Sequence, residues 1–352
     1  MQLSPSHTRL KSIGRVFKRR AIALISGGLD SALAALLIKE QGVDVIGLYL
    51  SSPFACRNEL ELLGKTLGIP ILTEEKGDPY LQLVAQPRFG YGRNMNPCVD
   101  CRIFMFHKAS EVMQREGAHF IITGEVVGQR PLSQLRAAMD KIEKESGLMG
   151  LIVRPLSGQL LPETLPEKEG WISRANLLGI HGRGRSSQIA LAEKLKLVGY
   201  SSPAGGCLLT DAHFSHKLRD WYQFGGLRAD ASLRSLHASL LRVGRHFRIN
   251  PSTKIVVARN DSENHILHQA HEKQAGSLVT PIGFMGPLAL IQGETSREVD
   301  LAAGQLVGHY SRKGTRYPVS LEVKDNFGHR ETVAVAFPPK QEELNKWSIA
   351  LN

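Results

Sequence analysis

The stretch Ser26-Gly27-Gly28-Leu29-Asp30-Ser31 is where residue types and spacing point most directly to chemistry. It follows a strand-like apolar run, Ala21 to Ile25, and precedes a helix-like run, Ala32 to Lys39. Adjacent glycines let backbone approach a ligand closely. Helix-start amides and the hydroxyls of Ser26 and Ser31 would then form a concave nest of donors suited to phosphate or pyrophosphate. The pattern is neither the G-x-x-x-x-G-K-[ST] loop nor the G-x-G-x-x-G fingerprint. A tight strand-to-helix turn capped by Asp30 or Ser31 is the plainer alternative.

The cysteines are the second chemical feature. Cys98 and Cys101 form a C-x-x-C pair in Asn96-Pro97-Cys98-Val99-Asp100-Cys101, just ahead of a helix-like segment, where thiols are favoured as thiolates. Cys207 stands far along the chain behind Gly205 and Gly206, whose lack of side chains would let its sulfur approach another group. Cys56 has no such setting and reads as an incidental buried thiol. Three readings fit the spacing equally: a structural zinc completed by His213 or His216, a redox pair at Cys98 and Cys101, or a 4Fe-4S cluster on Cys98, Cys101 and Cys207 with one iron left open.

These residues need elements to hold them. From residue 20 to about 154, strand-like runs (21–25, 43–50, 69–73, 119–124) alternate with helix-like ones (32–39, 58–67, 103–115). That alternation predicts an α/β domain whose parallel sheet is flanked by helices, with ligand at the carboxyl ends of the strands. Residues 155–170 read as an irregular connection, and 186–197 as a helix. Beyond residue 217 the texture changes to a smaller α+β domain. Residues 221–246 look helical, 254–258 and 288–292 look like strands, and 319–323 with 332–337 read as a hairpin. The expected domains are a basic arm at 1–20, a nucleotide domain at 21–216 and a C-terminal domain at 217–352.

Charge follows the same division. Of the net +11, residues 1–20 supply +6 and residues 217–352 supply +5, so the middle is neutral. Positive flanks suit a polyanionic partner. Hydrophobic content of 42% with no long apolar run argues against a membrane protein. The opening segment lacks the apolar core of a secretory signal. Four cysteines are too few for a secreted disulfide framework, so a cytoplasmic location is expected.

The Ser26–Ser31 stretch resembles the PP-loop of the ATP pyrophosphatase superfamily, S-G-G-x-D-S, with an adenine nucleotide alpha hydrolase-like fold. Thr123-Gly124-Glu125, with Gly128-Gln129 and Arg154-Pro155-Leu156, resembles tRNA 4-thiouridine synthetases. The Asn-Pro before a cysteine, and the distant second cysteine, look instead like tRNA 2-thiouridylases. Two departures stand out. The residues before the loop cannot hold the RNA-binding THUMP region of the former family, and the chain's end is unlike the barrels of the latter. Lys254 to Asn260, Glu263-Asn264 and Gly286-Pro287 faintly resemble the RNA-binding region of the NFACT family.

The resemblance implies ATP-dependent tRNA thiolation, with O4 of uridine favoured over O2. Ser26, Gly27, Gly28, Asp30, Ser31 and Gly124 would contact ATP or Mg2+. Cys101, Cys207 and Asp30 would be catalytic. Cys98, Cys101 and Cys207 would be the ligands of a 4Fe-4S cluster, which the resemblance favours over Zn2+. Arg183 and Arg185, in a Gly-rich loop that is equally readable as solvated, would contact RNA, as would Arg245 and Arg248. The implied partners are tRNA and a sulfur donor, either a cysteine desulfurase or inorganic sulfide, and related enzymes are sometimes homodimers. A small-molecule ligase or amidotransferase with a structural zinc is one rival reading. A non-catalytic RNA-binding protein is the other.

Overall fold

The computed structural model describes residues 19–54, 60–201, 207–312 and 315–349. The basic arm before Arg19, Cys56, and the glycines before Cys207 lie outside the described residues. The contacts divide the chain into two units: residues 1–49, 59–73 and 105–203 form the first, and residues 50–58, 74–104 and 204–352 the second. The segment 74–104, which carries the C-x-x-C pair, thus folds with the C-terminal part of the chain.

The first sheet has five strands: β1 (Arg20–Leu24), β2 (Asp44–Ser51), β3 (Ile71–Glu75), β4 (Phe120–Thr123) and β5 (Ile152–Val153). Their order is β3-β2-β1-β4-β5, and β1 pairs in parallel with both β2 and β4. Its helices include α1 (Leu29–Lys39), α2 (Leu60–Leu67), α3 (Gly77–Ala85), α4 (Cys98–Arg115), α5 (Arg136–Glu145), α6 (Leu165–Lys168) and α7 (Ser186–Lys194), of which α3 and the start of α4 belong to the second unit. The chain winds outward from β1 to β3, then returns to the other side of β1 for β4. That reversal is the switch point at which α/β sheets bind ligands, and the loop after β1 lies there. Ala21, Ala23, Leu33, Ile38, Phe120, Ile122 and Val153 share one buried core, and residues 21–24 of β1 and 120–122 of β4 form the continuous apolar runs that covered parallel strands require.

The second unit contains β6 (Arg245–Asn250), β7 (Thr253–Val257), β8 (Ser277–Ile282), β9 (Ala289–Gly293), β10 (Val319–Lys324) and β11 (Arg330–Val335). They form an antiparallel sheet in the order β11-β10-β8-β9-β7-β6. Helices α8 (Ala212–Gln223), α9 (Ala231–Leu240), α10 (Asp261–Glu272), α11 (Arg297–His309) and α12 (Gln341–Trp347) complete it. Along β7, Ile255 and Val257 pack with Val299, Ala303 and Leu306 of α11, while Val256 packs with Leu267 and Ala270 of α10. Alternate side chains thus serve opposite faces.

Three expectations change. Residues 221–246 are not one helix: α8 ends at Gln223, Gly225 has φ +84°, and a new helix begins at Ala231 behind the Asp230 cap. The following segment, from Arg245, is a strand. The C-x-x-C pair is not ahead of its helix but within its first turn, because α4 starts at Cys98. Residues 155–170 contain a short 3-10 turn at 158–160 and α6, capped by Thr164 and Glu167.

Candidate functional site

The loop after β1 is closed by its own side chains. Ser26 N–H donates to Ser31 Oγ at 3.1 Å, and Ser31 Oγ donates to Gly28 O at 2.9 Å. The two hydroxyl oxygens are 3.1 Å apart, and Gly28 N–H lies 3.4 Å from Ser26 Oγ. Gly27 has φ +78°, a value that side-chain-bearing residues rarely adopt. Gly28, rather than Asp30 or Ser31, is the N-cap of α1. The serines therefore hold the loop's shape, and the amides at the start of α1 supply the positive end of the helix dipole.

The residue that follows β4, Gly124, has to be a glycine. A Cβ there would fall 2.5 Å from both the Asp30 carbonyl carbon and the Ser31 nitrogen. The strand end thus presses directly on the backbone of the loop. Asp30 is held from the other side. Gln129 Nε2 donates to Asp30 Oδ2 at 2.7 Å, and Gln188 Nε2 donates to Gln129 Oε1 at 2.9 Å. Arg185 lies 3.8 Å from the same Oδ2. Asp30 Oδ1 is buried without a hydrogen-bond partner, the donor a hard divalent cation would use. Arg183 is exposed.

Glu125 and Arg154 belong to a buried ion cluster. Arg154 Nε is 3.1 Å from Glu125 and its Nη1 is 2.8 Å from Glu143. Burial opposes the guanidinium charge, but the two carboxylates outweigh it and raise the arginine's pKa. The T-G-E and R-P-L stretches are therefore one structural piece, clamped beneath the loop.

The cysteines lie in the second unit. Asn94 Nδ2 donates to Thr210 O at 2.7 Å and Met95 N–H to Leu209 O at 3.1 Å, which lays the Cys207 segment along the approach to α4. Asp100, between the paired cysteines, is buried and accepts from the Arg88 and Phe89 amides at 2.9 and 3.0 Å. Cys101 has two polar neighbours that the sequence did not indicate. Lys76 Nζ lies 3.7 Å from its Sγ and the Tyr80 hydroxyl 3.3 Å, with Lys76 also stacked 4.2 Å from the centre of the Tyr80 ring. Lys76 is buried. Burial, and then Cys101, push the Tyr80 hydroxyl's pKa well up.

Cys207 is exposed at its surface, yet protein packed around the rest of the side chain desolvates the thiol enough to raise its pKa. Cys101 and Cys98 add to that rise, while a Leu209 backbone hydrogen bond and Lys76 oppose it. The three thiols thus share one electrostatic neighbourhood. Among the described residues, however, no three His, Cys, Asp or Glu side chains converge as a metal site. The donor types suit a cluster and the arrangement does not.

Two of the expected RNA contacts are engaged within the second unit. Arg248 forms a paired contact with Asp220 at 3.0 and 2.7 Å, and Arg245 stacks 4.4 Å from the Tyr310 ring centre. Among the described residues no helix is long and apolar enough to cross a membrane.

Residues 19–146 match the family model of the tRNA methyl transferase HUP domain, and residues 244–348 match that of the NFACT protein RNA binding domain. The tRNA-specific 2-thiouridylase MnmA of Thermus thermophilus is 29% identical over 191 residues, covering 43% of this chain and 51% of that protein. A probable tRNA sulfurtransferase of Natranaerobius thermophilus is 28% identical over 176 residues, covering 46% and 39%. A solved 4-thiouridine synthetase–RNA complex with bound ATP superposes with a TM-score of 0.37 at 20% identity, covering 63% of this chain and 53% of that one. The chain spans about half the length of the curated relatives it matches.

Proposed function

We propose that this chain, a HUP domain of the MnmA-like kind followed by an NFACT-type RNA-binding domain, is an ATP-dependent tRNA thiolation enzyme. The observation that carries the reading is the gathering of Cys98, Cys101 and Cys207 in one unit of a chain whose other unit holds a closed pyrophosphate-type loop. A loop of this kind alone would serve any enzyme that splits ATP to AMP and pyrophosphate.

In this reading a uridine carbonyl oxygen attacks the α-phosphate of ATP, and pyrophosphate departs into the donor nest at the start of α1. The backbone amides there need no reorganisation as charge develops, which is where most catalytic gain arises. Magnesium held at Asp30 Oδ1 would neutralise the phosphate oxygens. The Gln129–Gln188 amides keep Asp30 oriented for that task, and Arg185 faces the same oxygens. The base must leave its stack to present its carbonyl.

Sulfur then displaces AMP. One of Cys101 and Cys207 carries it as a persulfide, and the other attacks the sulfur–sulfur bond, releasing sulfur to the base and leaving a disulfide. Sulfide attacking that disulfide regenerates the persulfide and expels the other cysteine as thiolate; a cysteine desulfurase reloads the enzyme with sulfane sulfur once a thiol reductant has supplied two electrons to open the disulfide. Lys76 and Tyr80 offer a cation and a hydroxyl to the Cys101 sulfur. A 4Fe-4S cluster on the three thiols is the second reading, favoured by the donor set itself. Iron and sulfide analysis after anaerobic purification separates the two: iron with acid-labile sulfide supports the cluster, and persulfide without iron supports the cysteine relay. O4 as the replaced atom rests on residues 123–129, and chromatography of the digested nucleosides distinguishes it from O2.

The test of the function is release of AMP and pyrophosphate from ATP with and without tRNA. Turnover that requires tRNA is expected. Turnover driven equally by a small amine would favour the ligase alternative, and no turnover with tRNA would favour a non-catalytic RNA-binding protein.

A further inference from the structure

The second unit contains a cleft that the proposed chemistry does not use. It lies where β8 ends and β10 begins, strands whose register pairs Ser320 with Ile282. The cleft has a volume of about 510 Å3 and is lined by, among others, Ile282, Phe284, Met285, Arg312 and Arg316. That volume falls in the roughly 300–1,000 Å3 range of ligand sites.

Its chemistry is divided between two kinds of surface. Ile282 and Met285 are 44% and 64% exposed, and Phe284 rests one side on the core while lining the cleft with the other. Arg312 and Arg316 are exposed, and among the described residues no acid lines the cleft. Among the described residues neither guanidinium has a carboxylate or hydrogen-bond partner. Several other arginines of this unit are paired, Arg248 with Asp220, Arg259 with Glu263 and Arg330 with Glu322. Two uncompensated cations thus stand beside an exposed apolar floor.

We propose that this cleft binds unpaired nucleotides of RNA, with bases against Phe284 and Met285 and phosphates on Arg312 and Arg316. Guanidinium groups pair with phosphate oxygens in a fork geometry, and flat apolar side chains take the faces of bases released from a helix. A duplex keeps those faces stacked and offers its backbone alone. An acidic peptide would satisfy the arginines but leave the apolar floor without a matching surface. The inference rests on the RNA-binding part of the function proposed above. It supplies a sequence-tolerant grip on single-stranded parts of the tRNA.

The experiment uses the full chain and measures fluorescence anisotropy with a tRNA transcript, a short single-stranded oligoribonucleotide, a blunt RNA duplex and an acidic peptide, over a range of salt. The wild-type protein is expected to bind tRNA and the single strand, with the duplex competing weakly. The R312A/R316A double variant should lose about tenfold or more in affinity for both, with the salt slope reduced by about 1.4, from about 0.7 per phosphate contact. Met285→Glu, a change on exposed surface, should weaken single-strand binding and leave duplex binding unchanged. Unchanged affinity and slope in the double variant, with wild-type binding intact, overturns the cleft and leaves the RNA-binding reading standing. Absence of tRNA binding by the wild type overturns both. Duplex or acidic peptide competing as well as the single strand overturns the assignment to unpaired nucleotides.

Discussion

The phosphate loop and the cysteine site are built in opposite ways. The loop is written almost entirely within six consecutive residues: a left-handed glycine, a glycine cap and two serines that hydrogen-bond to each other and to nearby backbone. The cysteine site is assembled from afar, by a loop at 94–95, a helix start at Cys98, a segment at 207–210 and a buried lysine at 76. A local site depends on a few close approaches of backbone. A dispersed one depends on the packing that brings its pieces together.

The sharpest way to break the first without touching the second is Gly124→Ala. The added Cβ meets loop backbone that cannot yield, so tRNA-dependent pyrophosphate release should fall by roughly 100-fold or more, as when a transition-state donor is lost. Alkylation rates of Cys101 and Cys207 should stay at wild-type values. Equal slowing of both would mean that the loop and the thiols are not independently built.

Arg154→Met tests the ion cluster beneath the loop. It strands Glu125 and Glu143, so the first unit should lose about 3–5 kcal/mol, read as a fall in denaturation midpoint. A second change, Glu125→Gln, should recover part of that loss.

The two units should also differ in their response to pH. Burial, against the pull of Asp220 and with Arg248 and Lys217 adding to it, lowers Lys254 to about 7, and burial, with Lys254, lowers His237 to about 4. Both groups bind a proton more readily when unfolded. Stability of the second unit should therefore rise between about pH 4 and 6.5 through His237 and again from about 7 to 10.5 through Lys254. Lys254→Met should remove the part of the upper rise that starts near pH 7, leaving the part from about 8 that the desolvated Lys217 contributes, and should increase stability at pH 7 by on the order of 4 kcal/mol. In the first unit the carboxylates of Glu125 and Glu143 outweigh burial and hold the Arg154 guanidinium charged throughout this range. The smallest effect belongs to Asn94→Ala, which removes one hydrogen bond to Thr210. It should cost about 1 kcal/mol and slow sulfur transfer severalfold while pyrophosphate release is unchanged.

The same contrast explains what was legible beforehand. The parallel sheet, the hairpin of β10 and β11, and the loop could be read because apolar alternation and a short motif are local signals. Gly124 is marked by its motif alone, while its physical reason, the press of the residue after β4 on the loop backbone, is a contact between segments more than 90 residues apart. Gln129 stood in a recognised stretch, but its link to Asp30 runs across 99 residues, and Gln188 carried no signal. Lys76 and Tyr80 lie 25 and 21 residues before Cys101, on an element with no pattern pointing at a thiol. The helical reading of 221–246 overruns by two residues into the strand at 245–250, because that strand's apolar residues are few and it follows a true helix.

The most direct test of the account is nucleoside mass spectrometry of tRNA incubated with the protein, ATP, Mg2+, a cysteine desulfurase with cysteine as the persulfide source and a thiol reductant, alongside Asp30→Asn and the C101A/C207A double variant. The account predicts thiouridine with the wild type, unmodified tRNA and no pyrophosphate with Asp30→Asn, and pyrophosphate without thiouridine when both cysteines are replaced. Thiouridine formed by the cysteine-free variant at the wild-type rate, or none formed by the wild type while pyrophosphate is released, would contradict it.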